Sequence, residues 1–233
     1  MKTKFSKITI PLLLLTGIFI SFAFKFVNCD GYSATQKGIK TETTEYDASN
    51  NVTGKSTSEV IDSKMVGGKT LATVKSTVID LKKNKTTESV FDVECDGTST
   101  TVNTIKLLTD NLKKSNTLGE STASGNNPVT PNILSVGQTL PEANINISIK
   151  GEISLQSNVK MYDRKVVAME KVTVPAGTFD CAVVTYTEDT RILFDKIKNH
   201  KVWLAKGIGA VKSEEYDKKG KLEKRTELTS ITH

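Results

Sequence analysis

The chain has 233 residues, with 32 Lys and Arg against 26 Asp and Glu, for a formal net charge of +6. Aromatic residues make up only 6% and no basic run is interleaved with them, which argues against a nucleic-acid partner. With 2 His, 3 Cys and no Cys-x-x-Cys pair, the donor density of a zinc site is missing, so no metal or cofactor is expected.

Lys2, Lys4 and Lys7 precede an almost wholly apolar run over 8–23, and Ser21-Phe22-Ala23 fits the small-x-small cleavage pattern. The run is shorter than the roughly 20 residues a bilayer span needs. Residues 1–23 are therefore expected to be a signal peptide, and residues 24–233 a single exported domain, periplasmic or secreted. Phe26-Val27-Asn28-Cys29 offers a second route, an outer-membrane lipoprotein lipidated at Cys29, although Asn28 replaces the usual small residue. Membrane contact is expected only in that case. Lipidation would leave Cys95 and Cys181 as the one disulfide pair; cleavage after Ala23 leaves three pairings open.

From Lys40 the pattern alternates, rich in Thr, Ser and Val, as a half-buried pleated surface requires. Four strands are expected before Asp96-Gly97. The spacing of Ile105, Leu108 and Leu112 then predicts a helix over 103–114, with Asn103 as its N-cap. Residues 115–132 hold Ser, Thr, Asn, Gly and Pro with few large apolar side chains, and read as a flexible loop. Alternation resumes near 144 and continues to the C-terminus through Pro175-Ala176-Gly177, Gly207-Ile208-Gly209 and Gly220. One internal echo stands out. Lys37-Gly38-Ile39 before Glu45-Tyr46-Asp47 parallels Lys206-Gly207-Ile208 before Glu215-Tyr216-Asp217.

The expected fold is mainly β (α+β). It is a curved antiparallel sheet, or half-barrel, of about ten strands with one helix packed near its concave face. A set of short motifs runs through the chain: Cys29-Asp30-Gly31-Tyr32, Glu45-Tyr46-Asp47, Cys95-Asp96, Leu140-Pro141, Arg164-Lys165-Val166, Pro175-Ala176-Gly177-Thr178-Phe179-Asp180-Cys181, Trp203 with Gly207 and Gly209, and Tyr216-Asp217. In these residues the chain resembles the TapB-like family of uncharacterised exported proteins of Gram-negative bacteria. The resemblance implies similarity to the half-barrels of lipoprotein carriers, an exported address, and cleavage after Ala23 in preference to lipidation. It implies no activity.

No Gly-x-Ser-x-Gly elbow occurs, His200 is the one histidine placed to serve as a base, and Cys181 sits in an apolar strand. An enzyme is not expected. The expected function is a non-catalytic binding module for an apolar or lipid-like ligand. Val167, Met169, Val183, Leu193, Phe194 and Trp203 are the candidate lining residues; filling the core is their simpler role. The alternative is a structural or protein–protein interaction protein of the cell envelope.

Overall fold

The computed structural model describes residues 29–114, 120–150, 154–191 and 195–233; the segment read as a signal peptide lies outside them. Among the described residues there are thirteen strands and one helix. The strands are β1 (Lys40–Asp47), β2 (Val52–Val66), β3 (Lys69–Asp80), β4 (Lys85–Cys95), β5 (Ser99–Val102), β6 (Glu120–Asn126), β7 (Val129–Pro131), β8 (Ala143–Lys150), β9 (Leu155–Val174), β10 (Gly177–Arg191), β11 (Asp195–Ala205), β12 (Gly209–Asp217) and β13 (Leu222–Thr232), and helix α1 is Thr104–Lys114. All belong to one open antiparallel sheet in the order β6-β8-β9-β10-β11-β12-β13-β1-β2-β3-β4-β5-β7. No described helix is long and apolar enough to cross a membrane.

The sheet exceeds the expected strand count through β5, β6 and β7. The sequence predicts a flexible loop over 115–132, but its described part, residues 120–132, is largely strand: β6 pairs along β8 from Glu120↔Lys150 to Asn126↔Asn144, and β7 pairs with β5. The reason is that a ladder is held by main-chain groups, which a Ser- and Asn-rich strand supplies as well as an apolar one. Residues 115–119 lie outside the described residues.

Asn103 caps α1, its Oδ1 accepting the Lys106 N–H at 3.0 Å. The helix packs against both β4 and β6, which lie near opposite ends of the sheet order. It thereby ties the two ends together. Arg164 adds a second tie. A bulge in β9 sets Asp163 (φ 53°) and Arg164 opposite Tyr186 alone. The Arg164 guanidinium is buried and donates to the carbonyl oxygens of Val129 in β7 and Pro141 ahead of β8.

The internal echo in the sequence is a repeated hairpin. In β1–β2, Asp47 Oδ1 accepts the N–H groups of Ser49 and Asn51, both at 2.9 Å. In β12–β13, Asp217 Oδ1 accepts those of Lys219 and Lys221, at 2.8 and 2.9 Å. Each hairpin carries a bulge two residues earlier, at Glu45/Tyr46 and Glu215/Tyr216. Asn50 (φ 64°) and Gly220 (φ 79°) hold the left-handed position of each turn.

Three buried clusters form the core. One surrounds Trp203 with Val174, Cys181, Val183, Val211 and Leu228. A second joins Tyr32, Leu134 and Leu140 to Val166, Ala182 and Val184. The third is Ile39, Val60, Ala72, Val74 and Val93. Tyr32 and Ile39 bring the N-terminal segment into the last two.

Candidate functional site

Strand alternation places Ile39, Thr41 and Thr43 in line with Val60, Ser58 and Ser56 of β2 and with Val74, Ser76 and Val78 of β3. The upper part of this face is covered. Ser33 and Ala34 of the N-terminal segment and Ile208 and Ala210 at the β11–β12 turn close over Val60, Val74 and Phe91. They leave a cavity of about 270 Å³ whose walls are mostly apolar, with Thr41, Thr43, Ser33 and Ser58 as its polar members.

The cover is fastened at several points. A disulfide joins Cys29 to Cys95 at the end of β4, Asp30 pairs with Lys206 at 2.9 Å, and the Gly207 N–H donates to Gly31 O at 2.8 Å. This corrects the pairing of Cys95 with Cys181. Cys181 lies on β10 in the Trp203 cluster, while the N-terminal segment brings Cys29 to a Cα separation of 5.9 Å from Cys95. A sulfur in that bond has no valence left for a thioether, so the disulfide and lipidation of Cys29 exclude each other. Cys181 is free and buried, and burial pushes its thiol up to about 11, so it is no nucleophile near neutrality.

Beside the cavity lies a band of charge, buried at Lys198 and partly exposed at Glu45 and Lys224. Glu45, Lys224 and Glu215 are linked at 3.4 and 3.2 Å, Lys198 pairs with Glu215 at 3.6 Å and also contacts Glu223. His200, opposite Glu215 in the β11–β12 register, stacks on Tyr186. Burial opposes the charge on Glu215, but Lys224, His200 and Lys198 outweigh it and its carboxyl stays below the usual range. Burial likewise opposes the charge on Lys224, and Glu215 with Glu45 outweighs it upward. Burial dominates at His200 and pushes it down, while Tyr186 is pushed up to about 12. Around neutral pH the band therefore presents fixed charges, a neutral imidazole and a protonated phenol. Among the described residues no group of three or more His, Cys, Asp and Glu is placed to hold a metal ion.

Of the residues nominated from the sequence, the four that are described do not line the cavity. Val183 and Trp203 are buried in the cluster that shares Cys181. Trp203 donates its indole N–H to Glu170 at 2.6 Å, and the ammonium groups of Lys201 and Lys212 sit 4.6 and 4.5 Å from its ring centre. Val167 is the extra residue of a β9 bulge, since Val183 pairs with Ala168 and Val184 with Val166; it is 41% exposed. Met169 is 51% exposed. Leu193 and Phe194 lie outside the described residues. Alternation names the two faces of a strand but not which one another segment covers, and the bulge reverses the parity at Val167. The actual lining, from Ile39 to Phe91, was visible only as β-branched residues in register.

The DUF3108-like family matches residues 36–228, and the chain belongs to that family. The TapB-like name suggested by the resemblance is not the one the match carries. Two solved structures share the fold. One is a proposed exported protein of YmcC-like fold from Bacteroides fragilis NCTC 9343, 21% identical, with a TM-score of 0.70 over 88% of this chain and 100% of that one. The other is a proposed lipoprotein from Parabacteroides distasonis ATCC 8503, 20% identical, with a TM-score of 0.71 over the same shares. Among curated proteins, none matches this chain.

Proposed function

We propose that this DUF3108-like chain is an exported, non-catalytic binding module of the cell envelope, which holds an apolar or lipid-like ligand between its sheet and its N-terminal segment. The observation that carries this reading is the cavity of about 270 Å³ at Val60, Val74 and Phe91. A core of packed side chains leaves few voids larger than a water, whereas this one is near the lower end of ligand-site volumes. The exported relatives in fold and the basic, apolar N-terminus support the address. The test is lipid mass spectrometry on protein taken from its native envelope, with a hydrophobic fluorescent probe added to the delipidated form. Val74→Trp is expected to fill the cavity and abolish probe uptake while the fold persists. Folded wild-type protein that carries no lipid and takes up no probe would overturn the reading.

A second reading, an interaction protein of the envelope, has its own observation. Leu81 donates its N–H to Thr53 O at 2.9 Å, so the β3–β4 and β1–β2 hairpin ends lie side by side. There Val52 and Leu81 are 45% and 49% exposed. Under this reading Val52→Ser with Leu81→Ser removes a co-purifying envelope protein and leaves probe uptake intact. Retention of the same partner by the double variant counts against it.

A further inference from the structure

The apolar cavity does not end in a wall of apolar residues. A second hollow of about 440 Å³ lies next along the strands, and Thr43 lines both. The register sets the two end to end. At one end Ile39, Val60, Val74 and Phe91 form the apolar lining. Next comes a band of hydroxyls whose members satisfy one another. Ser58 Oγ donates to Ser76 Oγ at 3.3 Å, and Thr43 Oγ1 meets Ser56 Oγ at 2.7 Å. Beyond them lie Glu45, Asp80 and a set of lysines. The distance from Ile39 to Glu45 is six residues, roughly 20 Å at about 3.4 Å per strand residue. One face of β1–β3 thus grades from apolar through hydroxyl to charged along the direction in which an extended ligand would lie.

The charged end has a definite sign. Lys55, Lys82, Lys83 and Lys224 line the second hollow against the two carboxylates of Glu45 and Asp80. Glu45 is already engaged, by Lys224 at 3.4 Å and by the Thr53 hydroxyl at 2.8 Å. Asp80 is engaged by Lys83 at 3.6 Å and by its backbone N–H at 3.0 Å. Asp47, whose field reaches Lys82, accepts hydrogen bonds from Asn51 and Ser49. Lys224 is shared between Glu45 and Glu215 and Lys83 faces Asp80, which leaves Lys55 and Lys82 as the lining cations without an ion pair among the described residues. Such a surface attracts an anion and repels a cation.

We infer that the two hollows form one amphipathic site for a single-chain anionic amphiphile, its chain beside Val60, Val74 and Phe91 and its head at Lys82, Lys83 and Lys224. The inference rests on the ligand-binding reading above and adds to it the sign of the head group and the direction in which the ligand lies. The hydroxyl band at Thr43 and Ser56 marks the depth at which chain gives way to head.

Three probes of one chain length separate the two ideas: decanoate, decanol and decyltrimethylammonium, each titrated calorimetrically into delipidated protein below its micellar concentration. Decanoate is expected to bind at least about tenfold more tightly than decyltrimethylammonium at low salt, with the ratio shrinking as salt screens the rim. Lys82→Glu with Lys83→Glu, two exposed positions, is expected to erase that ratio and leave decanol unchanged. Equal affinity for all three probes, blocked by Val74→Trp, overturns the anionic-head assignment and keeps the apolar ligand. Failure of every probe to bind folded wild-type protein overturns both.

Discussion

The rings of Tyr186 and His200 stack face to face across β10 and β11, their centres 4.6 Å apart and their planes 9° from parallel. The stack buries His200 Nε2 with no hydrogen-bond partner, 4.0 Å from Glu188 Oε2. Glu188 and Glu215 favour the imidazolium, and Lys224 and Lys198 oppose it. Burial is the largest effect, and the folded-state pKa falls below that of the unfolded chain. The unfolded state therefore binds the proton first as pH drops. Stability is expected to decline as pH falls through about 6.5, the ordinary histidine value, and to level off below the folded-state pKa. Denaturant melts from pH 8 to pH 5 measure this slope. His200→Phe keeps the stack and removes the buried nitrogen. It is expected to flatten the slope and to equal or exceed wild type at the acidic end by up to about 1 kcal/mol. An unchanged slope would assign the pH dependence to the carboxylates.

The Cys29–Cys95 bond closes a loop of 66 residues and fastens the segment that covers the cavity. Cross-linking restricts the unfolded chain, and removal of a disulfide of this kind costs about 2–4 kcal/mol. Cys29→Ser and Cys95→Ser are expected to lose the same amount, and the double variant no more than either. Intact mass after alkylation under denaturing conditions is expected to show one blocked thiol without reductant, Cys181, and three with it. Two further acyl masses on Cys29, or three blocked thiols without reductant, would rule out the bond.

Arg164 is 7% exposed and holds carbonyl oxygens of two segments from opposite ends of the sheet order. Truncation to Ala removes two hydrogen bonds from a charged donor to part-buried carbonyls, each worth about 1.5–3 kcal/mol at most, and the packing of the buried side chain. Arg164→Ala is expected to lose about 2–4 kcal/mol in urea melts. Arg164→Lys is expected to recover only part of this, since both oxygens are reached from Nη1 at the far tip of the guanidinium, beyond the end of the shorter lysine side chain. Amide exchange at β6 and β7 is expected to quicken before exchange at β10, because the arginine secures the ends of the sheet and leaves its middle untouched.

Much of the fold can be read in the residues, and the failures share one cause. Asp47 and Asp217 marked two like hairpins because a side chain that caps its own turn leaves a local signature. Asn103 marked the start of α1 for the same reason. β6 could not be read, since its pairing with β8 depends on main-chain groups and a partner more than fifteen residues away. The cavity was equally hidden. Val60 and Val74 carry the same alternation as Val183, yet the former pair faces a space under Ser33 and Ala34 while the latter packs against Trp203. What decides between cavity wall and packed core is the path of residues 29–38, which have no periodicity of their own to read.

Gly31 tests that path directly. A Cβ built on it would lie 2.3 Å from Thr100 Oγ1 and 2.5 Å from Asn132 Oδ1, two atoms that are themselves hydrogen-bonded at 3.0 Å and buried. Neither can move without losing the other, so the segment must shift instead. Gly31→Ala is expected to cost about 1–3 kcal/mol, the usual penalty for overpacking a filled site. It is also expected to weaken uptake of the hydrophobic probe, because Ser33 and Ala34 two and three residues on form one wall of the cavity. Thr100→Ser still leaves the hydroxyl in the way and is expected to give no relief; Thr100→Ala in the Gly31→Ala background is expected to restore part of both losses. Full stability and full probe uptake in Gly31→Ala alone would show that the N-terminal segment is not seated on β5, and that the cavity has no fixed cover.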